Sequence, residues 1–286
     1  MNSVMRNLLF LLCAGLLLAA CSSNPPLDAP ESRAPERMET SVDEDAQREK
    51  AVATRIGAGM ESLKANDAER ARRHIFRALE LDPTSAEAHN AMGLYYRFEG
   101  DEKREEAQYR KAIHYDSKFS QARNNYAALL YRHGRYKKAI EQLEKAADDT
   151  NYDQRQVALL NLGRCYAKVG EYDKAVAALQ RSLRLDSQQV DALLELADVY
   201  RMQGNYVDAQ RYLGAYSSRG RQTARSLWIG IRIGSATGAT NDVSSSELQL
   251  DSMFKGSPEY LEWQSWKKGG AVPAAAGKPS GKGVKE

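Results

Sequence analysis

The chain is poor in the residues that build covalent or metal-bound sites. It has three cysteines and four histidines among 286 residues. No histidine has a glutamate at the spacing of a metal-binding pair, and no glycine-rich loop of the kind that holds phosphates is present. We therefore expect no metal, no cofactor, no small-molecule substrate and no catalytic residues. His89 and Cys165 are interpreted as packed core residues rather than as a ligand and a nucleophile.

The chain also lacks an excess of charge of either sign. Lysine and arginine together number 41 and aspartate and glutamate 38, which leaves a formal net charge of +3. The two signs alternate along the chain, as on a solvated helix surface, whereas a nucleic-acid-binding protein needs basic residues clustered on one surface. The composition therefore argues against a nucleic-acid partner.

The prominent apolar run is short and N-terminal. Leu8 to Leu18 follows the positively charged Arg6 and precedes Ala19, Ala20 and Cys21, which is the anatomy of a signal peptide. A helix that spans a bilayer needs roughly twenty apolar residues. A retained transmembrane anchor is therefore the weaker interpretation.

The end of this signal resembles the bacterial lipobox. In Leu18-Ala19-Ala20-Cys21 the cysteine would become the lipidated first residue, so that the signal covers residues 1–20 and fatty acids hold the protein at a membrane. Cys13 is then lost and Cys21 is modified, which excludes an intrachain disulfide to Cys165. Ser22, which is not aspartate, implies by the same resemblance an outer-membrane location facing the periplasm. A plain secretory cleavage site is the alternative.

Two low-complexity segments flank the rest. Residues 21–48 contain four prolines among many acidic residues and few apolar ones, so we predict a mobile linker, with an acidic docking segment as the alternative. Residues 267–286 carry five lysines and one glutamate among glycine, alanine and proline, and are predicted to be a disordered basic tail.

Residues 49–266 repeat with a period of thirty-four. Tyr166 and Gly170 recur as Tyr200 and Gly204, and earlier copies follow the same spacing after a two-residue insertion near Asp148 to Asp153. This is the tetratricopeptide period, in which each unit is a pair of helices that must stack on its neighbours to bury its apolar face. The predicted fold class is therefore all-α, a right-handed tetratricopeptide-repeat solenoid of about six helix pairs.

Small residues mark where the helices of each pair approach. They recur in the first helix at Gly59, Gly93, Ala127, Gly163 and Ala197. They are matched in the second helix by Ala71, Ala139, Ala175 and Ala209, a pattern that Glu105 interrupts. Turn glycines are predicted at Gly100, Gly134, Gly170 and Gly204.

The sixth repeat is degenerate. Helical spacing is visible in Ala224 to Ile233, after which a polar stretch around Gly238 to Ser246 replaces the later repeat positions. We predict a second helix at Ser246 to Phe254 and a closing helix at Ser257 to Trp266.

The concave surface of such a solenoid is lined by the first helix of each pair and is the predicted partner site. Helical geometry places the second, fifth, ninth and twelfth repeat positions on that face. The resulting candidates are Ala53, Ile56, Met60 and Leu63 in the first copy, Glu87, Asn90, Leu94 and Arg97 in the second, and Gln121, Asn124, Ala128 and Tyr131 in the third. We expect an apolar N-terminal end that binds a protein partner and a more polar surface beyond it. Coverage of the apolar end by an N-terminal segment of the chain or by a neighbouring molecule is the alternative.

Three local stretches carry a more specific resemblance. These are Asn124-Asn125-Tyr126, Ala224-Arg225-Ser226-Leu227 with Gly230-Ile231-Arg232, and Gly256-Ser257 with Glu259-Tyr260. Together with the lipobox and six repeats they resemble the type IV pilus biogenesis lipoprotein family, PilF or PilW, the pilotins of the pilus secretin. The resemblance implies an outer-membrane lipoprotein that binds the secretin subunit and promotes its outer-membrane localisation and multimerisation. The alternatives are a repeat scaffold of another envelope assembly machine and a peptidoglycan-active enzyme recruited by its repeats.

Overall fold

A computed structural model describes the backbone of residues 36–269 and the side chains of residues 43–269. Every regular element in this range is an α-helix. The helices are α1 (Glu36–Lys64), α2 (Ala68–Leu81), α3 (Ala86–Glu99), α4 (Glu102–Tyr115), α5 (Ser120–Arg132), α6 (Tyr136–Asp148), α7 (Arg155–Lys168), α8 (Tyr172–Leu185), α9 (Val190–Met202), α10 (Tyr206–Ser217), α11 (Ala224–Thr237), α12 (Thr240–Met253) and α13 (Pro258–Gly269).

The helices form six consecutive hairpins, α1/α2 to α11/α12, followed by α13. From α2 to α12 each helix packs against the next, α13 packs against α11, and the first helices of neighbouring hairpins, such as α5 with α7 and α7 with α9, also touch. From Asp45 onwards the hairpins belong to one compact unit. This stacking is the predicted tetratricopeptide-repeat solenoid, with the apolar core running from hairpin to hairpin.

Small residues in the first helices allow the close approach that the repeat pattern predicts. A Cβ atom added to Gly93 would lie 2.5 Å from Cε1 of Tyr109, whose ring is fully buried. One added to Gly163 would lie 2.5 Å from Cγ of Leu179, and one added to Gly59 would lie 2.6 Å from Cγ1 of Ile75. The hairpins therefore close only because these positions carry no side chain.

The predicted turn glycines adopt the left-handed conformation. Gly100, Gly134, Gly170 and Gly204 have φ values of 74°, 68°, 80° and 77°. Gly238 has a φ of 80° and turns the sixth hairpin in the same way. The six-residue connection Asp149 to Gln154 between α6 and α7 contains the predicted insertion.

Glu105, which interrupts the small-residue pattern, is buried in the second hairpin. It is 1 % exposed, and its Oε2 accepts a hydrogen bond from Nη2 of Arg132 on α5 at 2.6 Å. An ion pair between hairpins thus occupies the place of the expected small residue. It satisfies Oε2, whereas Oε1 of Glu105 is buried without a hydrogen-bond partner among residues 43–269.

His89 is packed in the core, as the sequence predicts. Its ring is 5 % exposed and stacks on Tyr115, with ring centroids 5.2 Å apart. Nδ1 lies 2.7 Å from Oε1 of Gln108, and Nε2 donates to the carbonyl oxygen of Pro83 at 3.0 Å. Both ring nitrogens therefore have partners within the protein.

Two predicted boundaries differ from the structure. Residues 36–48 were predicted to be linker, but α1 begins at Glu36, directly after Pro35. The last of the N-terminal prolines is thus outside the helix, and residues 36–48 are mostly good helix formers, namely Glu, Arg, Met, Ala and Gln. At the other end, Lys267 and Lys268 were assigned to the tail but form part of α13.

The sixth hairpin is more regular than predicted. Its second helix starts at Thr240 rather than at Ser246, and only Gly238 and Ala239 connect it to α11. Val243 anchors the polar first turns, because its Cγ2 would lie 2.6 Å from a Cβ atom added to Gly234. The closing helix agrees with its prediction, and Tyr260 and Trp263 bury its inner face against α11 and α12. The predicted signal peptide, Cys21 and residues 270–286 lie outside the described residues.

Candidate functional site

The predicted groove residues Asn90 and Asn124 are buried between hairpins. Nδ2 of Asn125 donates to Oδ1 of Asn90 at 2.9 Å, and Nδ2 of Asn161 donates to Oδ1 of Asn124 at 3.0 Å. Asn90 is 5 % and Asn124 is 7 % exposed. These bonds join the first helices of hairpins two, three and four, so both amides serve first to hold adjacent hairpins in register.

Ala53 and Ile56 line a surface cavity of about 430 Å³ at the first hairpin, here called the N-terminal cavity. Its lining residues are Arg48, Glu49, Val52, Ala53, Ile56, Asp82, Ser85 and Glu87. Ala53 is exposed, Ile56 is half-buried, and five of these eight residues are polar. The N-terminal end is therefore less apolar than predicted. Arg48, Glu49, Asp82 and Ser85 lie outside the selected repeat positions, and Glu87 of the second copy reaches the same cavity.

Met60 and Leu63 lie on the same helix but are engaged in packing. Both are half-buried and contact the cluster that contains Ala71, Ile75 and Met92. They are thus part of the contact between the first two hairpins more than of an open surface, and Leu94 in the second hairpin is likewise half-buried.

Tyr131 links two cavities further along the concave face. The first measures about 200 Å³ and is lined by Arg97, Ala127, Ala128, Tyr131, Arg132, Leu143, Asn161, Arg164 and Cys165. Cys165 is 1 % exposed, and burial raises the pKa of its thiol to about 12. The thiolate is the reactive form of cysteine, so this environment agrees with a structural thiol.

The second and larger cavity, here called the C-terminal cavity, measures about 550 Å³. It is enclosed by α7, α9, α11 and α13, and Tyr131 lies at its edge. Its other lining residues are Arg164, Ala167, Lys168, Glu195, Asp198, Val199, Arg201, Met202, Arg225, Trp228, Ile229, Arg232, Pro258, Glu259 and Glu262. Charged side chains and an apolar wall of tryptophan, isoleucine, valine and methionine therefore meet in one concave space.

A buried ion network forms one wall of the C-terminal cavity. The carboxylate of Glu195 accepts hydrogen bonds from Nη1 and Nη2 of Arg225 at 2.6 and 2.7 Å and from Nε of Arg164 at 2.7 Å. Asp198 accepts from Nη2 of Arg201 at 2.6 Å and from Nη2 of Arg225 at 3.4 Å. The network ties the first helices of hairpins four, five and six together.

The charges in this network offset the cost of burying a carboxylate. Burial by itself would raise the pKa of Glu195, but the hydrogen bonds and charges of Arg225 and Arg164 lower it below its ordinary value. Glu195 therefore stays ionised at neutral pH, and the arginines are held by bidentate and shared contacts rather than by solvent.

Arg232 faces the same cavity without a carboxylate partner among residues 43–269. Its guanidinium carbon lies 5.6 Å from the ring centroid of Trp228, and Nε1 of Trp228 donates to Oε2 of Glu262 at 3.0 Å. Burial and the neighbouring Arg201 lower the pKa of Arg232. The tryptophan thus supports a half-buried cation whose charge is not neutralised by direct contact.

The sequence contained a signal for this cavity. The rule that selected groove positions in the first three copies selects Arg164, Asp198, Arg201, Trp228 and Arg232 when it is continued into copies four to six. The contributions of Glu195 and α13 follow no repeat position, so they could not have been found in that way.

Neither a metal-binding cluster nor a membrane-spanning helix is found among the described residues. No group of three or more His, Cys, Asp or Glu side chains in this range could hold a metal ion. None of the helices there combines the length and apolar character that crossing a membrane requires.

Stacked hairpins and a concave face with several cavities define a tetratricopeptide-repeat scaffold. Models of the tetratricopeptide repeat match residues 120–188 and 166–227. The type IV pilus assembly protein PilF of Pseudomonas aeruginosa is 34 % identical over 223 residues, which cover 78 % of this chain and 88 % of that protein.

Solved structures give the same result. A structure of Pseudomonas aeruginosa PilF matches with a TM-score of 0.70 and 34 % identity, over 77 % of this chain and 99 % of that one. The crystal structure of PilW, described as a widely conserved type IV pilus biogenesis factor, matches with a TM-score of 0.68 and 28 % identity, over 74 % and 98 % of the two chains. The chain belongs to this type IV pilus biogenesis family of tetratricopeptide-repeat proteins.

Proposed function

We propose that the chain is a pilotin, a non-catalytic outer-membrane lipoprotein that binds the subunit of a type IV pilus secretin and promotes its localisation and multimerisation. The observation that carries the proposal is the 34 % identity to a type IV pilus assembly protein over 78 % of the chain. Family membership supports a role in pilus biogenesis, and the secretin is the partner that the family resemblance implies.

The concave face supplies surfaces of the kind that a protein partner requires. The N-terminal cavity combines the apolar side chains of Val52, Ala53 and Ile56 with charged residues at its rim. Grooves of this composition bind an amphipathic helix or an extended segment, with apolar side chains in the cavity and polar contacts around it. The rigid stacking of the hairpins holds this surface in shape before the partner arrives, which lowers the entropy cost of binding.

The lipid anchor would provide the transport step. Acylation of Cys21 would attach the chain to the membrane, and movement of the lipoprotein to the outer membrane would carry the bound secretin subunit with it. The repeat surface would then hold the subunit until it meets other subunits and oligomerises.

A deletion strain tests the proposal directly. Without this protein, we expect the secretin to remain monomeric or outside the outer membrane and twitching motility to be lost. Normal secretin multimers in the outer membrane of the deletion strain would show that the chain serves another envelope machine. A Cys21→Ser variant should bind the secretin but fail to relocate it, as measured by fractionation of the two membranes.

The N-terminal cavity can be tested without disturbing the core. Charged substitutions at Ile56 or Met60 would also lower stability, because both side chains pack against core clusters. Ala53 is exposed and lines the cavity, so Ala53→Lys places a long charged side chain there with little effect on stability.

We expect Ala53→Lys to reduce secretin capture in a pull-down by at least about tenfold. The lysine would disrupt partner contacts buried around the cavity, and the binding free energy would weaken by well over about 1 kcal/mol. Thr54→Lys is the matched control, since Thr54 is exposed on the same helix and does not line the cavity. Equal capture by both variants would move the secretin site away from this cavity.

A further inference from the structure

The C-terminal cavity has the properties of a second binding site. Its volume of about 550 Å³ lies within the range of roughly 300–1,000 Å³ that is typical of ligand pockets. It lies in hairpins four to six and is closed on one side by α13, whereas the N-terminal cavity lies in the first hairpin and the start of the second. The two cavities share no lining residue.

The charges around this cavity are largely committed to one another. Glu195 is paired with Arg225 and Arg164, Asp198 with Arg201 and Arg225, and Arg164 also with Asp191, whereas Glu262 accepts a hydrogen bond from the neutral indole of Trp228. Arg232 is different, because within residues 43–269 no carboxylate lies in ion-pair contact with it.

Arg232 is therefore the donor that remains available to a ligand. Its guanidinium carbon lies 5.6 Å from the ring centroid of Trp228, and a planar guanidinium can form two parallel N–H bonds to one carboxylate. Lys168, an exposed cation, also lines the cavity. A half-buried cation without a partner is stabilised when an anion joins it away from bulk water.

The charge balance limits the ligand. Five basic and four acidic residues line the cavity, and Arg164 also pairs with Asp191 outside the lining at 3.1 Å, so no large positive surplus is present. This matches a single carboxylate better than a phosphate-rich ligand, which would need several uncompensated cations. The apolar wall formed by Val199, Met202, Trp228 and Ile229 would accept an apolar side chain next to that carboxylate.

We propose that the C-terminal cavity binds an acidic side chain, flanked by apolar residues, in an extended segment of a partner protein, and that Arg232 receives its carboxylate. This site is additional to the secretin contact at the N-terminal cavity. The inference does not depend on which protein supplies the segment.

Two synthetic peptides test the site on the whole purified chain. The first is an acetylated and amidated peptide of sequence Gly-Leu-Asp-Leu-Gly, and the second carries Asn in place of its Asp. Binding is followed by calorimetry and by intrinsic fluorescence, because Trp228 lies in the cavity wall and the peptides contain no aromatic residue. We expect the Asp peptide to bind, the Asn peptide to bind at least about tenfold more weakly, and added salt to weaken the Asp peptide.

Substitutions assign the binding to Arg232. Arg232→Gln should weaken the Asp peptide at least about tenfold and remove its advantage over the Asn peptide. Arg211→Gln is the matched control, because Arg211 is exposed, lies 4.8 Å from the ring centroid of Tyr212 and is outside the cavity. Lys168→Gln changes an exposed side chain that cannot upset the packing, and should weaken the Asp peptide about two- to fivefold.

The outcomes that overturn the proposal are distinct. Equal binding of the Asp and Asn peptides, no binding of either, or an unchanged affinity in Arg232→Gln would each refute it. Binding of phosphatidylglycerol vesicles that is lost in Arg232→Gln, with no peptide binding, would assign the cavity to a lipid headgroup instead. Failure of the peptide test leaves the pilotin proposal standing, since that proposal is tested by the deletion strain and by secretin capture.

Discussion

The close approach of helices in the fourth hairpin makes one substitution especially informative. In Gly163→Ala the new Cβ atom would lie 2.5 Å from Cγ and 2.7 Å from Cδ2 of Leu179, and 3.2 Å from the carbonyl oxygen of Ala175. Leu179 is fully buried, and the nearest atom is its branch point rather than a mobile end. The side chain or the helix must therefore shift to make room.

The expected magnitude is the difference between two effects. Overpacking a core costs about 1–3 kcal/mol, whereas replacing a helical glycine by alanine gains about 0.5–1 kcal/mol. Gly163→Ala should therefore lower the free energy of unfolding by about 1 kcal/mol. Gly214→Ala is the control, because nothing lies within 4 Å of its added Cβ, and it should raise the free energy of unfolding by about 0.5–1 kcal/mol.

Thermal and urea unfolding of the whole chain, followed by far-UV circular dichroism, measures this difference. The free energies of unfolding of Gly163→Ala and Gly214→Ala should differ by about 2 kcal/mol, which corresponds to a difference of about 4–8 °C in Tm for a domain of this size. Leu179→Ala in the Gly163→Ala background should cost less than it does alone, because the new methyl group occupies part of the space that is vacated. The close packing of this hairpin would be refuted if the effects of Gly163→Ala and Leu179→Ala were additive. It would also be refuted if Gly163→Ala stabilised the chain as much as Gly214→Ala.

Three further predictions concern buried polar groups. Glu195→Gln should lower the free energy of unfolding by about 3 kcal/mol at pH 7. Because the folded-state pKa of Glu195 is lowered, this difference should shrink as the pH falls below about 4. Asp191→Asn is the control at an exposed site and should change the free energy of unfolding by less than about 1 kcal/mol at every pH. Cys165 should react with a thiol reagent only after unfolding, and fast labelling of the native chain would contradict its burial. Glu105→Ala should change the midpoint of urea unfolding little, because Arg132 can be hydrated, whereas a loss above about 3 kcal/mol would show that their ion pair stabilises the second hairpin strongly.

Repeat positions predicted local packing well because they describe contacts within a hairpin and between neighbours. Gly93 and Gly163 lie against the large side chains that the spacing assigns to the second helix, and the glycine turns adopt the expected conformation. The start of α1 was missed because the acidic composition of residues 36–48 was given more weight than their helix propensity. The start of α12 was missed because serine and threonine suggest a loop, although Val243 supplies the packing that makes the segment helical.

The groove was predicted less completely. The predicted residues Ala53, Ile56 and Tyr131 line cavities, whereas the side chains of Asn90 and Asn124 form hydrogen bonds between hairpins. A repeat position specifies the direction of a side chain from its helix, but not whether a neighbouring hairpin will occupy the space in front of it.

The sequence by itself determined that this chain is a stack of helical hairpins, because the small residues and turn glycines act within about one repeat length of one another. Only the tertiary structure decided which part of the concave face is open, which charges neutralise one another, and that Arg232 lies in the C-terminal cavity with no carboxylate of residues 43–269 in ion-pair contact. Those properties depend on α7, α9, α11 and α13 meeting in space, and Glu195 and Arg225 lie thirty residues apart in sequence. The repeat positions select several residues that line this cavity, but which of their charges pair with one another is decided by contacts that follow no period.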